Sequence, residues 1–437
     1  MDRRRALRTL AVAGVAAVAG CQTTAQHGTG SKTTGTATES ATATDTFQTG
    51  RSVSGWETFR GDHGHTGRVG DASGPTSLTE QWVQSLRTVD TLGVSAADGV
   101  VYAASRAGGI AAFSVADGRR LGGDLSGGRP VTTEPVLTDG WVVFGTRSGE
   151  VVGVSPGDGI DWTIQAPRPQ SHDGTGPHRL DSTPTVDEGL HIGFTEYPAS
   201  DDANGAVALA TVGDEAGFAA NGWPIETRYP IRASPTKTDG WVYVRDGPDV
   251  LAVDAETGET QFRSAVRSRP RRAGRLDRSP AVTAGTVIAG GDAIVALDAA
   301  SGDEQWTAPV EPVDGSDHTR QVYGAAIADE TAYVGSADGA LRALDLGTGE
   351  LLWSLSTSVL RWSRPAVGQD TLVIAGNEGY ESGGTQYVDR ERGLAILCDR
   401  ETGKLLATVE REGLVGNPIV AGTRSVVPFG NTLVGFE

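Results

Sequence analysis

The sequence predicts an all-β fold: an eight-bladed β-propeller of four-stranded antiparallel blades, closed by pairing of its N- and C-terminal strands. Three observations support this prediction. A unit of short strands and tight turns recurs along the chain. A proline often introduces the first strand of a unit, and the consecutive prolines Pro135, Pro184, Pro235 and Pro280 are 45 to 51 residues apart. The two ends of the repeat region carry complementary incomplete units. The 61 glycines among 437 residues also favour turns and strands over helices.

The stretch Thr331–Trp353 shows the unit most completely. Two apolar runs of strand length, Ala332–Gly335 and Leu341–Leu344, are each followed by turn residues rich in Asp and Gly. A further strand begins at Leu351 and ends in a Trp. Such an antiparallel element cannot cover both of its own faces, so it needs copies of itself as neighbours.

Seven full copies follow one another, and an incomplete eighth ends the chain. The first apolar runs of the seven begin at or near Gly99, Gly140, Gly189, Gly240, Thr286, Thr331 and Thr371. The eighth opens at Asn417–Val420 and stops after its third strand, while an orphan fourth strand, Leu78–Val83, precedes the first copy. We predict that Gln81–Val83 pairs with Leu433–Phe436 and closes a propeller domain over residues 55–437.

Residues 1–20 are predicted to be an export signal. Arg3 and Arg4 stand in a context that resembles a twin-arginine signal. The apolar run Leu10–Ala19 is too short to span a bilayer and suits the hydrophobic part of a signal peptide.

The end of this signal resembles the lipobox of prokaryotic lipoproteins, Val18-Ala19-Gly20-Cys21, in which the Cys sulfur receives a diacylglyceryl group. The alternative is a plain signal peptide with an incidental Cys. Residues 21–54 are rich in Thr, Ser, Gly and Ala, which predicts a flexible tether. We therefore expect an extracytoplasmic protein that is anchored to the cell membrane by lipid on Cys21.

The charge of the chain is strongly acidic, and its basic residues are almost all Arg. The net charge is −18, and only Lys32, Lys237 and Lys404 are lysines. This composition resembles that of proteins from halophilic archaea, in which high salt screens self-repulsion. An ordinary acidic soluble protein explains the shortage of Lys less well. Generic nucleic-acid binding is disfavoured, because it relies on neutralising phosphates with basic residues.

One motif, apolar-Ala-Leu-Asp-x-x-Thr-Gly-x-x-x-Trp, identifies a family resemblance. It occurs at Ala343–Trp353 and Ala296–Trp306, and less completely at Ala252–Phe262 and Leu397–Leu406. It resembles the PQQ-type propeller repeat, whose family includes eight-bladed quinoprotein dehydrogenases and the lipoprotein propeller of the bacterial outer-membrane barrel-assembly machine. The resemblance covers residues 80–437 and implies the fold. The repeat residues are predicted to be structural: Gly, Asp and Thr in turns, and Trp between blades.

The dehydrogenases of this family imply a site for the quinone PQQ with calcium, a catalytic Asp and commonly a pair of adjacent Cys. This chain has no such pair, and Cys398 stands alone in an apolar strand, which predicts a buried, inert thiol. His63-Gly64-His65 could contact a metal, but a polar loop is the preferred interpretation, in a segment, Trp56–Gly67, that resembles an N-terminal cap of such proteins. We predict neither a catalytic nor a metal site. A PQQ-dependent dehydrogenase with a divergent site, binding PQQ and calcium, is the alternative.

Arginines recur where the fourth strand of one predicted blade leads to the first strand of the next. In a propeller these connections gather at one face near the axis, which predicts a positive channel mouth. The candidate anion-binding residues are Arg269, Arg271, Arg272, Arg275, Arg278, Arg320 and Arg364. Guanidinium groups suit carboxylate or phosphate ligands. The alternative is that each Arg pairs with a neighbouring carboxylate and only fixes blade geometry.

Two insertions are predicted on the same face, between the second and third strands of units three and seven. They are Tyr197–Gly205 and Asn377–Gly393, and both are acidic and contain Tyr. They could form opposed walls over the channel or coordinate calcium, although solvated loops are the commoner explanation for such composition.

Together these patterns predict a lipid-anchored extracytoplasmic propeller that acts as a binding or assembly scaffold. Its expected partner at the propeller face is an unidentified protein or an anionic ligand, such as a small polyanion or an acidic peptide, and its membrane contact is the lipid anchor.

Overall fold

The strands begin downstream of the predicted signal and tether. The computed structural model describes residues 61–437 apart from 63, 71, 87–90, 106–108, 139, 157–158, 166–177, 181, 187–189, 194, 197–224, 226, 230, 267–278, 284, 311–320 and 383–384. Arg3, Arg4, Cys21 and the insertion Tyr197–Gly205 therefore lie outside the described residues.

The described residues form 32 strands, which follow the predicted units in order. After β1 (Glu80–Ser85), units one and two contain β2 (Thr91–Ala97), β3 (Val100–Ser105), β4 (Gly109–Ser114), β5 (Val136–Thr138), β6 (Trp141–Gly145), β7 (Glu150–Ser155) and β8 (Gly159–Gln165). Units three and four contain β9 (His178–Arg179), β10 (Thr185–Val186), β11 (Leu190–His191), β12 (Thr195–Glu196), β13 (Thr236–Thr238), β14 (Trp241–Asp246), β15 (Asp249–Asp254) and β16 (Thr260–Ala265).

The second half of the chain continues the series. Units five and six contain β17 (Ala281–Thr283), β18 (Thr286–Gly290), β19 (Ala293–Asp298), β20 (Glu304–Pro309), β21 (Val322–Ala328), β22 (Thr331–Ser336), β23 (Ala340–Asp345) and β24 (Leu351–Ser356). Units seven and eight contain β25 (Val359–Trp362), β26 (Ala366–Val367), β27 (Thr371–Ser382), β28 (Thr385–Asp399), β29 (Leu405–Glu412), β30 (Ile419–Ala421), β31 (Arg424–Phe429) and β32 (Thr432–Phe436).

The sheets confirm the all-β propeller class. Units two, four, five and six each form one antiparallel four-stranded sheet in chain order, and unit seven forms a five-stranded sheet. Unit three is described as two separate two-stranded sheets, β10 with β11 and β9 with β12. These sheets are compatible with eight blades, and that number stays a prediction. Within the described ranges, no helix is long and apolar enough to cross a membrane.

The predicted closure of the ring is confirmed. β1 pairs antiparallel with β32, with Trp82 opposite Gly435 and Val83 opposite Val434. This gives the eighth sheet the order β1-β32-β31-β30, so its outer strand comes from the start of the domain and its other strands come from the end. Leu433, Val434 and Phe436 are fully buried at this seam. The pairing leaves neither terminal strand with an open edge at this junction.

The family motif joins neighbouring units, as the sequence predicts. In unit six the carboxylate of Asp345 accepts hydrogen bonds from the main chain and hydroxyl of Thr348, both at 2.8 Å, and closes a tight turn. Gly349 follows with φ of 72°. The ring of Trp306 from unit five covers this turn so closely that a Cβ on Gly349 would lie 2.6 Å from Trp306 Cδ2. Trp306 Nε1 also donates to the carbonyl of Leu346 at 2.8 Å.

The same contact recurs between other neighbours. Trp82 lies over Gly118, Phe262 over Gly302 and Trp353 over Gly403, in each case from one unit onto the turn of the next. Packing between units therefore explains the constant spacing within the motif, because the aromatic residue of one copy contacts the Gly of its neighbour.

Unit one departs from the predicted four strands. Its sheet contains β2, β3 and β4, and the following segment makes one isolated bridge, Phe113 with Arg120. The segment carries two adjacent glycines and then Asp124, whose carboxylate accepts the main-chain N–H groups of Ser126 and Ile110 at 2.9 and 3.1 Å. These local bonds favour a turn in place of a regular edge strand.

A segment upstream of β1 crosses the propeller channel; we call residues 64–74 the channel segment. Its carbonyl groups accept hydrogen bonds from inner strands of successive units. Gly64 accepts from Val282 of unit five, Thr66 from Ile327 of unit six and Gly67 from Val367 of unit seven, at 2.7, 2.6 and 2.8 Å. Gly74 then donates to the carbonyl of Gly422 in unit eight.

His65 gives this segment its deepest contact. The side chain is fully buried, with Nδ1 2.8 Å from Thr236 Oγ1 and Nε2 3.3 Å from Thr185 Oγ1. The resemblance to an N-terminal cap is in keeping with this position, and the interpretation as a polar loop does not foresee that His65 is buried. The hydroxyls of Thr185 and Thr236, from units three and four, are partners of the imidazole and lie more than 100 residues away in sequence. His63 lies outside the described residues.

Candidate functional site

One position of the repeat comes directly before the anchor residue of the first strand in each unit. In six units the anchor is Pro, and in units one and six the register of β2 with β3 and of β21 with β22 identifies the equivalent residue. We call these eight residues the axial ring: Gly93, Glu134, Thr183, Ser234, Ser279, Gly324, Arg364 and Asn417. Six of the eight are uncharged, and the other two, Glu134 and Arg364, carry charges of opposite sign.

Hydrogen bonds link members of the axial ring from one unit to another. The main-chain N–H of Glu134 donates to Thr183 Oγ1, and the N–H of Thr183 donates to Ser234 Oγ, both at 3.1 Å. Asn417 joins the two charged members. Its Oδ1 accepts from the main-chain N–H of Arg364 at 3.2 Å, and its Nδ2 donates to Glu134 Oε1 at 3.0 Å.

A cavity of about 260 Å³ lies at this charged part of the axial ring. Its walls come from units one, two, six, seven and eight, so in a propeller it lies at the axis. Glu134, Gly324, Arg364 and Asn417 of the ring line it, together with Arg361. Arg364 is buried, with 5% of its surface exposed, which places a guanidinium inside the protein at the cavity wall. A buried cation at a cavity strengthens any contact with an anion, because little water screens it.

The second arginine of the cavity, Arg361, is held by the base of unit seven. Its Nη1 donates to the carbonyl of Val415 at 3.0 Å and to Asn377 Oδ1 at 3.3 Å. Asn377 is fully buried. Its amide also accepts from the N–H of Val415 and donates to the carbonyls of Arg392 and Gly413. Asn377 therefore fixes the cavity wall to the base of the long hairpin of unit seven.

The predicted arginines divide into three groups. Arg364 lines the cavity, as a candidate anion-binding residue should. The other six candidates, Arg269, Arg271, Arg272, Arg275, Arg278 and Arg320, lie outside the described residues. Further arginines of the connections fit the alternative, structural interpretation: Arg129 pairs with Glu150 at 3.8 Å, Arg228 with Asp249 at 3.4 Å, and Arg411 with Glu80.

The insertion Asn377–Gly393 forms ordered strands, so the expectation of a solvated loop is wrong for this part of unit seven. It is the outer part of the hairpin formed by β27 and β28, and we call its residues 379–388 the arm. Tyr380 and Tyr387 are opposite each other in the arm, with ring centroids 5.5 Å apart and planes at 25°, and both rings are about half exposed. At the arm's base, Arg392 pairs with Glu378 at 3.0 Å and with Glu410 at 3.1 Å.

Sequence reasoning missed Glu134 and Asn417. A signal was present, since both directly precede an anchor proline, as Arg364 does. The candidate residues were chosen by their positive charge, and an acid and an amide at the same repeat position were not considered. Comparing this one position across all units would have found all three.

The one Cys of the described residues and the described acidic residues were also candidates for chemistry. Cys398 is fully buried in β28, and burial raises the pKa of its thiol to about 12, so it stays protonated and unreactive, as predicted. In the part of the chain that the structure describes, no group of three or more His, Cys, Asp or Glu side chains is placed to hold a metal ion.

Comparison with known proteins places this geometry in a family. Residues 72–211 and 219–379, more than half of the chain, match the model of the family described as outer membrane protein assembly factor BamB. A quinohemoprotein alcohol dehydrogenase, ADH IIB of Pseudomonas putida, is 35% identical over 123 residues, which are 26% of this chain and 16% of that enzyme. The chain therefore spans only a small part of this relative's length.

Solved structures show the same fold at low identity. The quinohemoprotein alcohol dehydrogenase ADHIIG of Pseudomonas putida HK5 has a TM-score of 0.62 at 11% identity, over 88% of this chain and 80% of that chain. The computationally designed Ika8 protein has a TM-score of 0.58 at 16% identity, over 84% and 99%. BamB of Moraxella catarrhalis has a TM-score of 0.54 at 14% identity, over 82% and 97%. With its repeated sheets, its motif turns and the match over most of its length, the chain belongs to the family of the outer membrane protein assembly factor BamB.

Proposed function

We propose that this protein is a lipid-anchored extracytoplasmic scaffold whose axial cavity binds an anionic group of its ligand. The observation that carries the proposal is Arg364: it is buried, it lines the cavity, and its main chain is fixed by Asn417 of the next unit. Arg361 adds a second guanidinium to the same lining. Carboxylate and phosphate groups are the ligands that guanidinium groups recognise through paired hydrogen bonds.

The salt conditions suggested by the composition favour this kind of site. Multimolar salt shortens the range of electrostatic interactions to about 3 Å or less, so long-range attraction of an anion would be lost. Direct contacts inside a cavity are screened much less. Each hydrogen bond to a charged group contributes about 1.5–3 kcal/mol, so two arginines are enough for a ligand of moderate affinity.

Replacing Arg364 tests the anion site. We expect Arg364→Gln to weaken binding of a carboxylate probe about tenfold to a hundredfold, because one or two charge-assisted bonds are lost. Isothermal titration calorimetry with hexanoate and with inorganic phosphate, in high salt, measures the effect. Arg228→Gln is the matched control, since Arg228 lies in another connection between units and pairs with Asp249 away from the cavity. Equal affinities of the two variants would contradict the proposal.

A protein partner is proposed to dock on the arm. Half-exposed, stacked tyrosines on a projecting hairpin are typical of protein interfaces, because Tyr offers a large contact area with few rotatable bonds. The family description, an assembly factor, supports a role in bringing proteins together. Tyr380→Ser with Tyr387→Ser should abolish capture of the partner from solubilised membranes in high salt, while the melting temperature stays within a few degrees. Unchanged capture would exclude the arm.

The alternative, a PQQ-dependent dehydrogenase, fits the described cavity poorly. Calcium takes six to eight oxygen ligands, often from several carboxylates. Among the described lining residues, Glu134 is the one carboxylate, and Asn417 already donates to it. The only Cys in the described ranges, Cys398, is sealed inside unit seven. Dye reduction by the purified protein after addition of PQQ and calcium tests this alternative, and alcohol-dependent turnover would revive it.

The lipid anchor is proposed from the signal sequence alone. Cys21→Ser should move the protein from the membrane fraction to the soluble fraction, because the acylated sulfur would be absent. Membrane fractionation of cells expressing either form measures this, and full retention of the variant would show that another element anchors the protein.

A further inference from the structure

We infer that the axial cavity binds a small zwitterion, a molecule of the amino-acid class that carries one carboxylate and one ammonium group. The inference rests on the proposed function, since it assigns the anionic group to Arg364, and it adds a second contact that the proposed function does not contain. That contact is with Glu134. It narrows the expected ligand from any anion to one that also brings a hydrogen-bond donor with positive charge.

The charges in the cavity lining have both signs. Arg364 and Arg361 are cations and Glu134 is an anion, and all three line the same space. A polyanion would place a second negative group near Glu134, which is unfavourable in a poorly hydrated cavity. A zwitterion places each of its charges beside one of opposite sign. The lining therefore complements a ligand with both charges better than one with negative charge alone.

One residue, Asn417, links the carboxylate of Glu134 to the main chain of Arg364. Asn417 contacts the main chain of Arg364 at 3.2 Å with its Oδ1 and the carboxylate of Glu134 at 3.0 Å with its Nδ2. The Glu134 carboxylate is thus one side-chain amide away from the Arg364 main chain. An α-amino acid has its two charged groups on the same carbon atom. This close spacing suits a site whose cation, Arg364, and anion, Glu134, are bonded to the same residue of the cavity wall.

The Glu134 carboxyl group lies in the space that the missing side chain of Gly93 leaves. Gly93 is the axial-ring residue of unit one, and a Cβ at this position would lie 2.1 Å from Glu134 Cδ. The main chain of Glu134 is fixed as well, by its bond to Thr183 Oγ1. Gly93, Asn417 and Thr183 come from three different units: Gly93 leaves room for the Glu134 side chain, Asn417 donates to its carboxylate, and Thr183 accepts from its main chain.

The size of the cavity agrees with a small ligand. Its volume of about 260 Å³ corresponds to roughly nine water molecules at about 30 Å³ each. An amino acid with a short aliphatic side chain has a comparable number of heavy atoms. Apolar surface is also present in the lining, from Leu92, Leu414 and Val415, and can cover such a side chain.

Three probes that differ in one group each test the inference by calorimetry in high salt. L-norleucine has both charges, hexanoate lacks the ammonium group and pentylamine lacks the carboxylate. We expect norleucine to bind at least tenfold more tightly than either analogue. N,N,N-trimethylnorleucine, which keeps the charge but has no N–H donor, should bind more weakly than norleucine, because Glu134 accepts hydrogen bonds.

Two variants separate this inference from the proposed function. Glu134→Gln should weaken norleucine about tenfold and leave hexanoate equal or tighter, because a repelling charge is removed. Arg364→Gln should weaken norleucine and hexanoate and spare pentylamine. If Glu134→Gln does not fold, Gly93→Ala replaces it, since the added methyl group displaces the same carboxylate. Melting temperatures are measured for each variant.

The possible results are distinct. If hexanoate equals norleucine in the parent, or Glu134→Gln leaves the affinity for norleucine unchanged, the zwitterion assignment is wrong and the anion site stands. If Arg364→Gln leaves hexanoate unaffected, the anion site itself is wrong. If the parent binds none of the probes at millimolar concentration, both are contradicted, and Glu134 and Arg364 are structural charges.

Discussion

The channel segment and the axial ring meet the same inner strands of the propeller but are built in different ways. The channel segment contacts units three to eight, and its bonds to units five to eight are between main-chain groups. Such contacts are available at every unit, whatever its side chains are. The axial ring presents one side chain from each unit, and those side chains differ around the ring. The repeated main-chain contacts close the channel, whereas the variable side chains of the axial ring determine the chemistry of the cavity.

This difference predicts that changes in repeated contacts affect stability and that changes in the axial ring affect binding. Arg364, Glu134 and Asn417 are the ring members whose side chains carry a charge or an amide, and no other unit duplicates them. His65 belongs to the other class, since it fixes the channel segment to two units and does not line the cavity. Four variants test the comparison, in order of decreasing effect.

The largest effect is expected at the pairing of β1 with β32, because this pairing closes the ring. Deleting residues 432–437 removes β32, which leaves β1 without its partner and opens the edge of β31 that β32 covers. Three fully buried apolar side chains are lost, Leu433, Val434 and Phe436, each contributing about 2–5 kcal/mol. This exceeds or matches the typical stability of a domain. We expect an unfolded or aggregated product by circular dichroism.

A truncation of the arm is the control for the seam deletion. Replacing the arm, residues 379–388, by a short turn removes more residues, but its tyrosines, Tyr380 and Tyr387, are about half exposed and stack on each other. The melting temperature should change little. A seam variant that melts like the parent would show that the ring does not depend on this pairing.

The second-largest effect is expected at Asn377, which bonds both main-chain carbonyls and the cavity residue Arg361. Asn377→Ala removes a buried amide that bonds Val415, Arg361, Arg392 and Gly413. Several buried main-chain groups lose their partners, which should lower the free energy of unfolding by about 3 kcal/mol or more. Arg361 loses its support, so binding in the cavity should weaken too. Urea unfolding and calorimetry measure the two effects; a loss of stability without any loss of binding would separate Arg361 from the site.

His65→Ala is expected to have a smaller effect, confined to stability. Thr236 and Thr185 keep their bonds to the carbonyls of Pro280 and Pro235, so the hydroxyls are not left unsatisfied. The lost contacts and the space left by the imidazole should cost about 1–3 kcal/mol. The urea midpoint should fall at unchanged slope. Carboxylate binding should stay as in the parent, and a variant with normal stability and impaired binding would place His65 in the site.

The repeated features could be predicted from the sequence because the same motif occurs in several units. The turn of Asp345 and Thr348, the Trp that covers Gly349 and the pairing of β1 with β32 all follow from a motif or its truncation at the chain ends. The buried role of His65 could not be predicted in this way. Its partners, Thr185 and Thr236, lie on separate units, and no local pattern connects them with an isolated His.

The site was predicted only in part for a related reason. Arg364 was found because positive charge in the connections was the criterion, while Glu134 and Asn417 were missed. The cavity arises from the joint position of side chains from five units and from a glycine in unit one that makes room for a carboxylate. Such complementarity between distant positions appears only when the ring is closed.

The smallest effect is expected at Asp329, which ties the channel segment to the ring by charge instead of by main-chain bonds. Asp329 lies in the turn between β21 and β22 with φ of 52°, a conformation that Asn also tolerates. Arg68 of the channel segment bonds its carboxylate at 2.6 Å, and Arg400 of unit seven bonds it as well. The hydrogen bond from Arg68, with that from Arg400, lowers the pKa of Asp329 below its ordinary value of 3.8.

A lowered pKa fixes the pH dependence of this contribution. The stability that Asp329 provides is complete above the ordinary carboxyl pKa and is lost as pH falls through the lowered pKa of the folded state. Because the side chain is about half exposed, the contribution should be about 1 kcal/mol or less. Asp329→Asn should therefore melt slightly below the parent at pH 7, and the difference should disappear in acid. Asp98→Asn is the matched control, since Asp98 occupies the equivalent turn of unit one with φ of 50° and forms no ion pair among the described residues. A difference between Asp329→Asn and the parent that persists unchanged at pH 2 would show that the turn geometry, and not the charge, accounts for the effect.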